Sequence, residues 1–294
     1  MHRLVPTPPE AQLAPLLNAY ANAIAAKRRQ LVMGSVVLFI AVWIAAIGAE
    51  VDLVTWWNKI GNFFSYFDRL LTLDTGARVW TDPVEWFWGL KRWLRLLAET
   101  ILIAYVGTLT GALIAFAACF AASRNLMPNG FWRGVVKRGL EFCRTVPEIV
   151  FALIFVASFG LGAFAGVLAV VIHTAGSLGK LFSEVVENID MRPVEGVAST
   201  GGSWFAQVRY GALPQVLSNF ASYGLLRFEI NVRGAAVLGF VGAGGIGEDL
   251  ITAIRKFYYA DVSAMLLLVV LTVMIIDTLS TRLRHRLLAM ENRT

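Results

Sequence analysis

Long uncharged apolar runs alternate along this chain with shorter polar, aromatic or basic segments. The runs cover residues 31–49, 100–122, 149–179, a segment beginning at 213–226, and 262–276. About 20 apolar residues cross a bilayer core as a helix. Strand-type alternation is absent, and unpaired backbone is too costly in lipid for other open structures. The pattern therefore predicts an all-α polytopic membrane protein. The run 149–179 holds no Asp, Glu, Lys or Arg. As one helix it would be about 46 Å long, against a core of roughly 30 Å. Phe159-Gly160-Leu161-Gly162 divides it into two rather short helices, which brings the expectation to about six transmembrane helices.

The intervening segments set the expected organisation. A leader over 1–30, with Pro6, Pro8, Pro9 and Pro15, ends in the basic cluster Lys27-Arg28-Arg29. It is too long for the n-region of a signal peptide, and 31–49 is too long for its apolar core. Residues 31–49 are accordingly expected as a retained first transmembrane helix with a cytoplasmic N-terminus. Residues 50–96 form an extracytoplasmic, aromatic-rich segment containing Trp56, Trp57, Phe63, Phe64, Trp80, Trp86, Trp88 and Trp93. Trp and Tyr favour the headgroup level, so amphipathic helices on the outer surface are expected there. The remainder, 97–286, is expected as the membrane core, followed by a cytoplasmic tail at 287–294. Arg124, Arg133, Lys137, Arg138 and Arg144 make one loop basic, and Arg282, Arg284 and Arg286 close the last span. The positive-inside rule places both groups, and both termini, in the cytoplasm.

Composition agrees with this class. Of 294 residues, 57% are hydrophobic and 16% charged, where a soluble domain carries about 25% charge. The net charge of +6 is gathered at segment ends, which speaks for lipid and not for nucleic acid. Cys119 and Cys143 have neither metal-site nor disulfide spacing and read as small apolar fillers.

Several residues stand out as chemistry. Arg227, Glu229 and Arg233 lie in the fifth span, where charges are expensive and usually face a bundle interior or a watery path. Glu229 and Arg233 are spaced to pair on one helix face; Arg227 points elsewhere. Two readings of it stand: contact with an anionic substrate, for which guanidinium is well suited, or snorkelling at the outer end of a tilted span. His173 in the fourth span is either a substrate or proton contact or a hydrogen-bonded packing residue. Val241–Gly247 reads VGAGGIG, a G-x-G-x-x-G match through Gly242, Gly244 and Gly247, with Gly245 between them. Without a preceding strand it is not a dinucleotide fingerprint, and a tight turn at a pathway mouth or helix junction fits better. No catalytic set, metal site or P-loop is apparent.

Between spans four and five, residues 190–219 read DMRPVEGVASTGGSWFAQVRYGALPQVLSN. Glu195 opens a short helix, Gly201 and Gly202 break it, and Pro214 marks entry into the next span. The spacing of Glu195, Ala198, Gly201, Leu213 and Pro214 resembles the EAA loop of binding-protein-dependent ABC importer permeases. Gly196 replaces the usual alanine of that motif and Gly211 the usual isoleucine. GAFAGVLAVVIHT (162–174), PVEG, YGALPQV, RFEINVR and VGAGGIG, in this order, are together similar to the phosphonate ABC transporter permease family. The methionine importer permeases share the implied type I fold, with a cytoplasmic coupling helix within 184–214.

The resemblance implies a bacterial inner-membrane, multi-pass translocation subunit, without its own ATPase site or bound cofactor. It implies as partners a second copy, two ATP-binding cassette subunits that bind ATP and Mg, and an extracytoplasmic phosphonate-binding protein. Glu195, Gly196, Ala198, Gly201, Leu213 and Pro214 are then coupling residues. Arg227, Glu229, Arg233 and His173 belong to the substrate pathway, and Gly242, Gly244, Gly245 and Gly247 to a gate or turn. Alternatives are a permease for phosphate, phosphite or methionine, an ATPase-independent transporter, or a membrane enzyme.

Overall fold

The computed structural model describes residues 10–291. The expectations for residues 1–9, including Pro6, Pro8 and Pro9, and for 292–294 lie outside the described residues. Twelve α-helices are described: α1 (Glu10–Gly48), α2 (Leu53–Leu70), α3 (Pro83–Trp86), α4 (Leu90–Ala122), α5 (Gly130–Thr145), α6 (Glu148–Phe159), α7 (Ala163–Glu187), α8 (Arg192–Ser199), α9 (Trp204–Ala206), α10 (Leu213–Leu238), α11 (Ile246–Arg255) and α12 (Tyr259–Glu291). The pairing of extended backbone among the described residues is one isolated antiparallel bridge, Thr72 with Arg78. Four helices are long and apolar enough to cross a membrane, or up to six if two bent pairs each make one span.

The chain divides into two units at Ser65 and Tyr66. In the first, α1 is a single helix of 39 residues, about 58 Å long. The cluster Lys27–Arg29 lies within this helix, and Pro15 sits in its second turn. The helical pattern thus starts well before the expected first span at 31. In the same unit Trp56, Trp57, Phe63 and Phe64 are exposed, on a helix whose start is capped by Asp52, which accepts from the Val54 and Thr55 amides.

In the second unit the most extensive interface joins α4 and α7. Small residues make it: a Cβ at Gly107 would fall 2.5 Å from Val170 Cγ1, and one at Gly111 would fall 2.8 Å from Thr174 Cβ. Close approach of this kind replaces the hydrophobic driving force that lipid removes. Three buried clusters follow the bundle from end to end. Phe120, Leu178, Phe182, Val194, Val216 and Phe220 belong to the first, with Phe182 and Phe220 stacked at 4.0 Å. Ile103, Phe151, Val170 and Val232 belong to the second. At the opposite end Trp93, Leu97, Ile246, Leu250 and Met265 form the third.

Two expectations change here. Trp86 and Trp93 turn inward, whereas Trp88 stays exposed as expected. Trp93 is 3% exposed, while Trp86 Nε1 donates to Ser263 at 3.0 Å and Trp88 Nε1 to Asp261 at 2.8 Å. The Trp93 ring belongs to the third buried cluster and the half-buried Trp86 packs against it, while the Trp86 and Trp88 N–H groups find partners on α12, a use the indole allows as readily as a headgroup contact. The second concerns 149–179. Gly160 (φ 91°) and Gly162 (φ 135°) break it as expected, since only glycine adopts these angles freely. The two helices are unequal, however. α7 has 25 residues and runs on to Glu187; α6 has only 12, about 18 Å, roughly half a span. It follows α5 with a bend of 86°, where Pro147 holds Val146 extended (ψ 125°) by clashing with its helical conformer.

Candidate coupling loop and transport path

The loop after α7 is built on a short helix with one buried side. Val194 is 3% exposed, whereas Glu195, Gly196, Ala198 and Gly201 face outward. Asp190 Oδ1 accepts from the Arg192 amide at 3.0 Å, and a proline follows in the first turn of α8, where its missing N–H costs nothing. The helix ends in a Schellman motif. The Gly201 amide donates to the Ala198 carbonyl and the Gly202 amide to the Val197 carbonyl, at 2.9 and 3.1 Å, with Gly201 left-handed at φ 80°. This is the glycine stop that the motif describes.

The two departures from the EAA pattern have different physical settings. A Cβ at Gly196 would meet nothing within 4 Å, but one at Gly211 would fall 2.7 Å from Val194 Cα. Gly211 therefore lets α8 lie directly on the following helix, where isoleucine has no room. Pro214, expected to mark the entry into the fifth span, lies within a continuous helical run. α9, a π-helical turn over Gln207–Ala212 and α10 run into one another. The wide turn ends just ahead of Pro214, which cannot donate to the helical ladder, so the proline is accommodated without a loop.

Three polar contacts that sequence reasoning missed fix the loop. Gln215 accepts from the Asp190 amide through Oε1 and donates from Nε2 to the Asp190 carbonyl, both at 3.0 Å. Trp204 Nε1 donates to the Leu126 carbonyl at 2.9 Å. Lys137 pairs with Glu187 at 2.8 Å, joining the basic α5 to the end of α7. The YGALPQV run contained Gln215, but nothing in its spacing showed that its partner lies before α8.

Within the bundle, the structure pairs Glu229 with Arg233 at 2.5 Å, their side chains 10% and 53% exposed. Glu229 is thus inside the bundle and Arg233 reaches outward from it. Arg227 makes no ion pair within 4 Å among the described residues. It lies in electrostatic range of Glu148 and His173, with its Nε buried and lacking a hydrogen-bond partner. His173 Nδ1 is 3.2 Å from the Val146 carbonyl, so that nitrogen carries the proton. Arg227 and His173 are brought together, while Glu229 and Arg233 form a separate pair. Asn231, on the same helix, donates to Thr108 Oγ1 at 2.7 Å and to Thr174 Oγ1 at 2.8 Å, tying α10 to α4 and α7.

The glycine-rich turn is a helix junction. Gly242, Gly244 and Gly245 all have φ near 80°, and the helices on either side meet at 49°. Gly242 accepts through its carbonyl from the Gly162 amide at 2.8 Å, so the two glycine turns touch. Gly245 leaves room for Thr100 Oγ1, which accepts from the Ile246 amide at 2.9 Å. Gly247 packs where a Cβ would fall 2.1 Å from the Ala236 carbonyl oxygen. No strand precedes the turn, and its amides serve packing.

Comparison with known proteins agrees with this arrangement. Residues 107–289 match the family described as "Binding-protein-dependent transport system inner membrane component". "Phosphite transport system permease protein PtxC" of Stutzerimonas stutzeri is 37% identical over 82% of this chain and 87% of its own length. "Phosphate-import permease protein PhnE" of Mycolicibacterium smegmatis is 36% identical over 66% of this chain and 36% of its own. A "Putative cryptic phosphonate transport system permease protein" of Escherichia coli, PhnE2, is 51% identical over 40% of this chain and 96% of its own. A solved structure described as inward-facing conformations of the MetNI methionine ABC transporter superposes with TM-score 0.59 at 19% identity, covering 70% of this chain and 98% of that one. At that identity the likeness concerns the fold alone, which is that of the ABC importer permeases. The match over residues 107–289 and the phosphite-transport relative together make this chain a member of the binding-protein-dependent transport system inner membrane component family.

Proposed function

We propose that this chain is the membrane-spanning subunit of an ATP-driven importer of phosphonates or the related oxyanions phosphite and phosphate. The observation that carries the substrate class is the 37% identity, over most of both chains, to a permease named for phosphite transport. The basic Arg227 inside the bundle accords with an anionic cargo, because guanidinium forms paired hydrogen bonds to such oxygens. In this reading two copies assemble with two ATP-binding subunits, which hold ATP and Mg, and an extracytoplasmic binding protein delivers the anion. The chain itself binds no cofactor and hydrolyses nothing. Its α8 end and both termini are cytoplasmic, and residues 50–96 begin on the outer side.

The outward face of α8, with Glu195, Gly196, Ala198 and Gly201, docks on the ATP-binding subunit; Leu213 and Pro214 join that helix to the span behind it. ATP closure then shifts the population between inward-open and outward-open arrangements, as a ligand shifts any two-state equilibrium that it binds unequally. The glycine turns allow the outer ends of α6, α7 and α10 to repack.

The test is uptake by the complete importer in proteoliposomes, with ATPase activity measured alongside. Glu195→Arg is expected to leave the complex assembled while abolishing uptake and its stimulation of ATP hydrolysis by the loaded binding protein. Normal coupled uptake in this variant would refute the docking role. Ion-gradient-driven uptake by the chain alone would refute the importer reading altogether.

A further inference from the structure

Glu148, which sequence reasoning passed over as a segment boundary, opens the half-length helix α6 directly after the bend at Pro147. Its Oε2 lies against α10, only 3.2 Å from where a Cβ at Gly234 would stand. Gly234 follows Arg227 by seven residues, so the two share a face of α10, with Asn231 between them. Across this face the Glu148 carboxylate and the Arg227 guanidinium attract one another without a direct ion pair. Glu148 Oε1 and Arg227 Nε are both buried without a hydrogen-bond partner. His173 from α7 completes the group: its ring is held by the Val146 carbonyl, two residues before Glu148, and it too lies in the field of Arg227.

The contrast with Glu229 and Arg233 is informative. That pair is closed at 2.5 Å, with the carboxylate occupying the guanidinium. Arg227 is compensated in charge yet not saturated in hydrogen bonds. A bare guanidinium inside a bundle is expensive to leave unpaired, and it would hold a multiply charged oxyanion too tightly to release it. A site on a path must bind well enough to admit its cargo and weakly enough to let it go. An open counter-ion meets both demands, neutralising the arginine at rest and opposing the anion once it arrives.

We propose that Glu148 is the resident counter-ion of Arg227 and sets how tightly the path holds a phosphorus oxyanion. The proposal rests on the reading of Arg227 as a pathway residue. The oxyanion takes the guanidinium N–H groups that Glu148 leaves free, and repulsion from the carboxylate drives its departure when the bundle changes conformation. Glycine at 234 lets the carboxylate lie close against this face, since even a Cβ there would stand 3.2 Å from Glu148 Oε2.

The experiment uses the complete importer in nanodiscs, without the binding protein, and measures direct binding of radiolabelled methylphosphonate and inorganic phosphate. ATP-driven uptake with the binding protein is measured in parallel. Removing one like charge from beside the anion in a partly wet interior is expected to tighten binding about tenfold or more in Glu148→Gln. Maximal uptake should fall as release becomes slow. Glu148→Asp, which keeps the charge but draws it back, is expected to lie between wild type and Glu148→Gln and remains informative if the latter fails to assemble. Arg227→Gln, and its combination with Glu148→Gln, should lose binding. If Arg227→Gln loses binding while both Glu148 variants bind no more tightly than wild type, the counter-ion role is overturned and the pathway role of Arg227 stands. If Arg227→Gln binds and transports normally, the pathway reading fails and the counter-ion role fails with it.

Discussion

Gly196 and Gly201 are five residues apart around one short helix, yet alanine is expected to act on them in opposite directions. Gly196 lies inside α8, exposed, with nothing within 4 Å of a new Cβ. Replacing a helix-interior glycine by alanine removes backbone entropy from the unlocked state and is worth about 0.5–1 kcal/mol. At about 1.4 kcal/mol per factor of ten, opening of α8 becomes roughly two to five times rarer. Gly201 has the same open surroundings but sits at φ 80°, where a Cβ costs about 1–2 kcal/mol. Opening of its end of the helix then becomes roughly five to thirty times more frequent on the same scale. Hydrogen exchange of the peptide covering 190–203, measured on the assembled importer by mass spectrometry, reads both shifts directly. Slower exchange is expected in Gly196→Ala and faster exchange in Gly201→Ala. Shifts in the same direction, or protection in Gly201→Ala, would refute the assignment of Gly201 to the left-handed stop of the helix.

Two further outcomes concern the bundle. In a double-mutant cycle of Asn231→Val with Thr108→Val, read by denaturant titration in mixed micelles, a coupling of about 0.6–1.7 kcal/mol is expected for their buried hydrogen bond; zero coupling would show that the contact contributes nothing. Gly107→Leu places a side chain where even a Cβ lies 2.5 Å from Val170, and should separate α4 from α7. A loss of at least about 1–3 kcal/mol is expected as a lowered unfolding temperature, and a variant as stable as wild type would contradict the close approach.

Much of this architecture was legible because membrane helices announce themselves by length and by their interruptions. The glycines at 160 and 162 marked a real break, and the Glu195–Gly201 spacing marked a helix with a glycine stop. What escaped was set by partners distant in sequence. Trp86 and Trp93 have the composition of an interfacial belt, and only Ser263 and the core around Ile246 draw them inward. The half-length of α6 depends on Pro147, which bends the chain as well as starting a helix. Glu148 looked like the polar edge of an apolar run because Gly234 and Arg227, which give it meaning, come some eighty residues later. Pro214 marked the entry into the fifth span, but a sequence does not display the π-helical turn that precedes it.

The clasp between Gln215 and Asp190 has a mechanical consequence. Its two hydrogen bonds join the backbone just before α8 to the first turn of α10, bypassing the π-helical turn between them, and Val194 seated on Gly211 closes the same joint from the other side. A force applied to α8 is therefore delivered to α10 as torque instead of being absorbed by the connecting chain. Arg227 stands twelve residues beyond Gln215, a lever arm of about 18 Å. A tilt of about 10° would carry its guanidinium roughly 3 Å, one hydrogen-bond length, enough to exchange one set of partners for another.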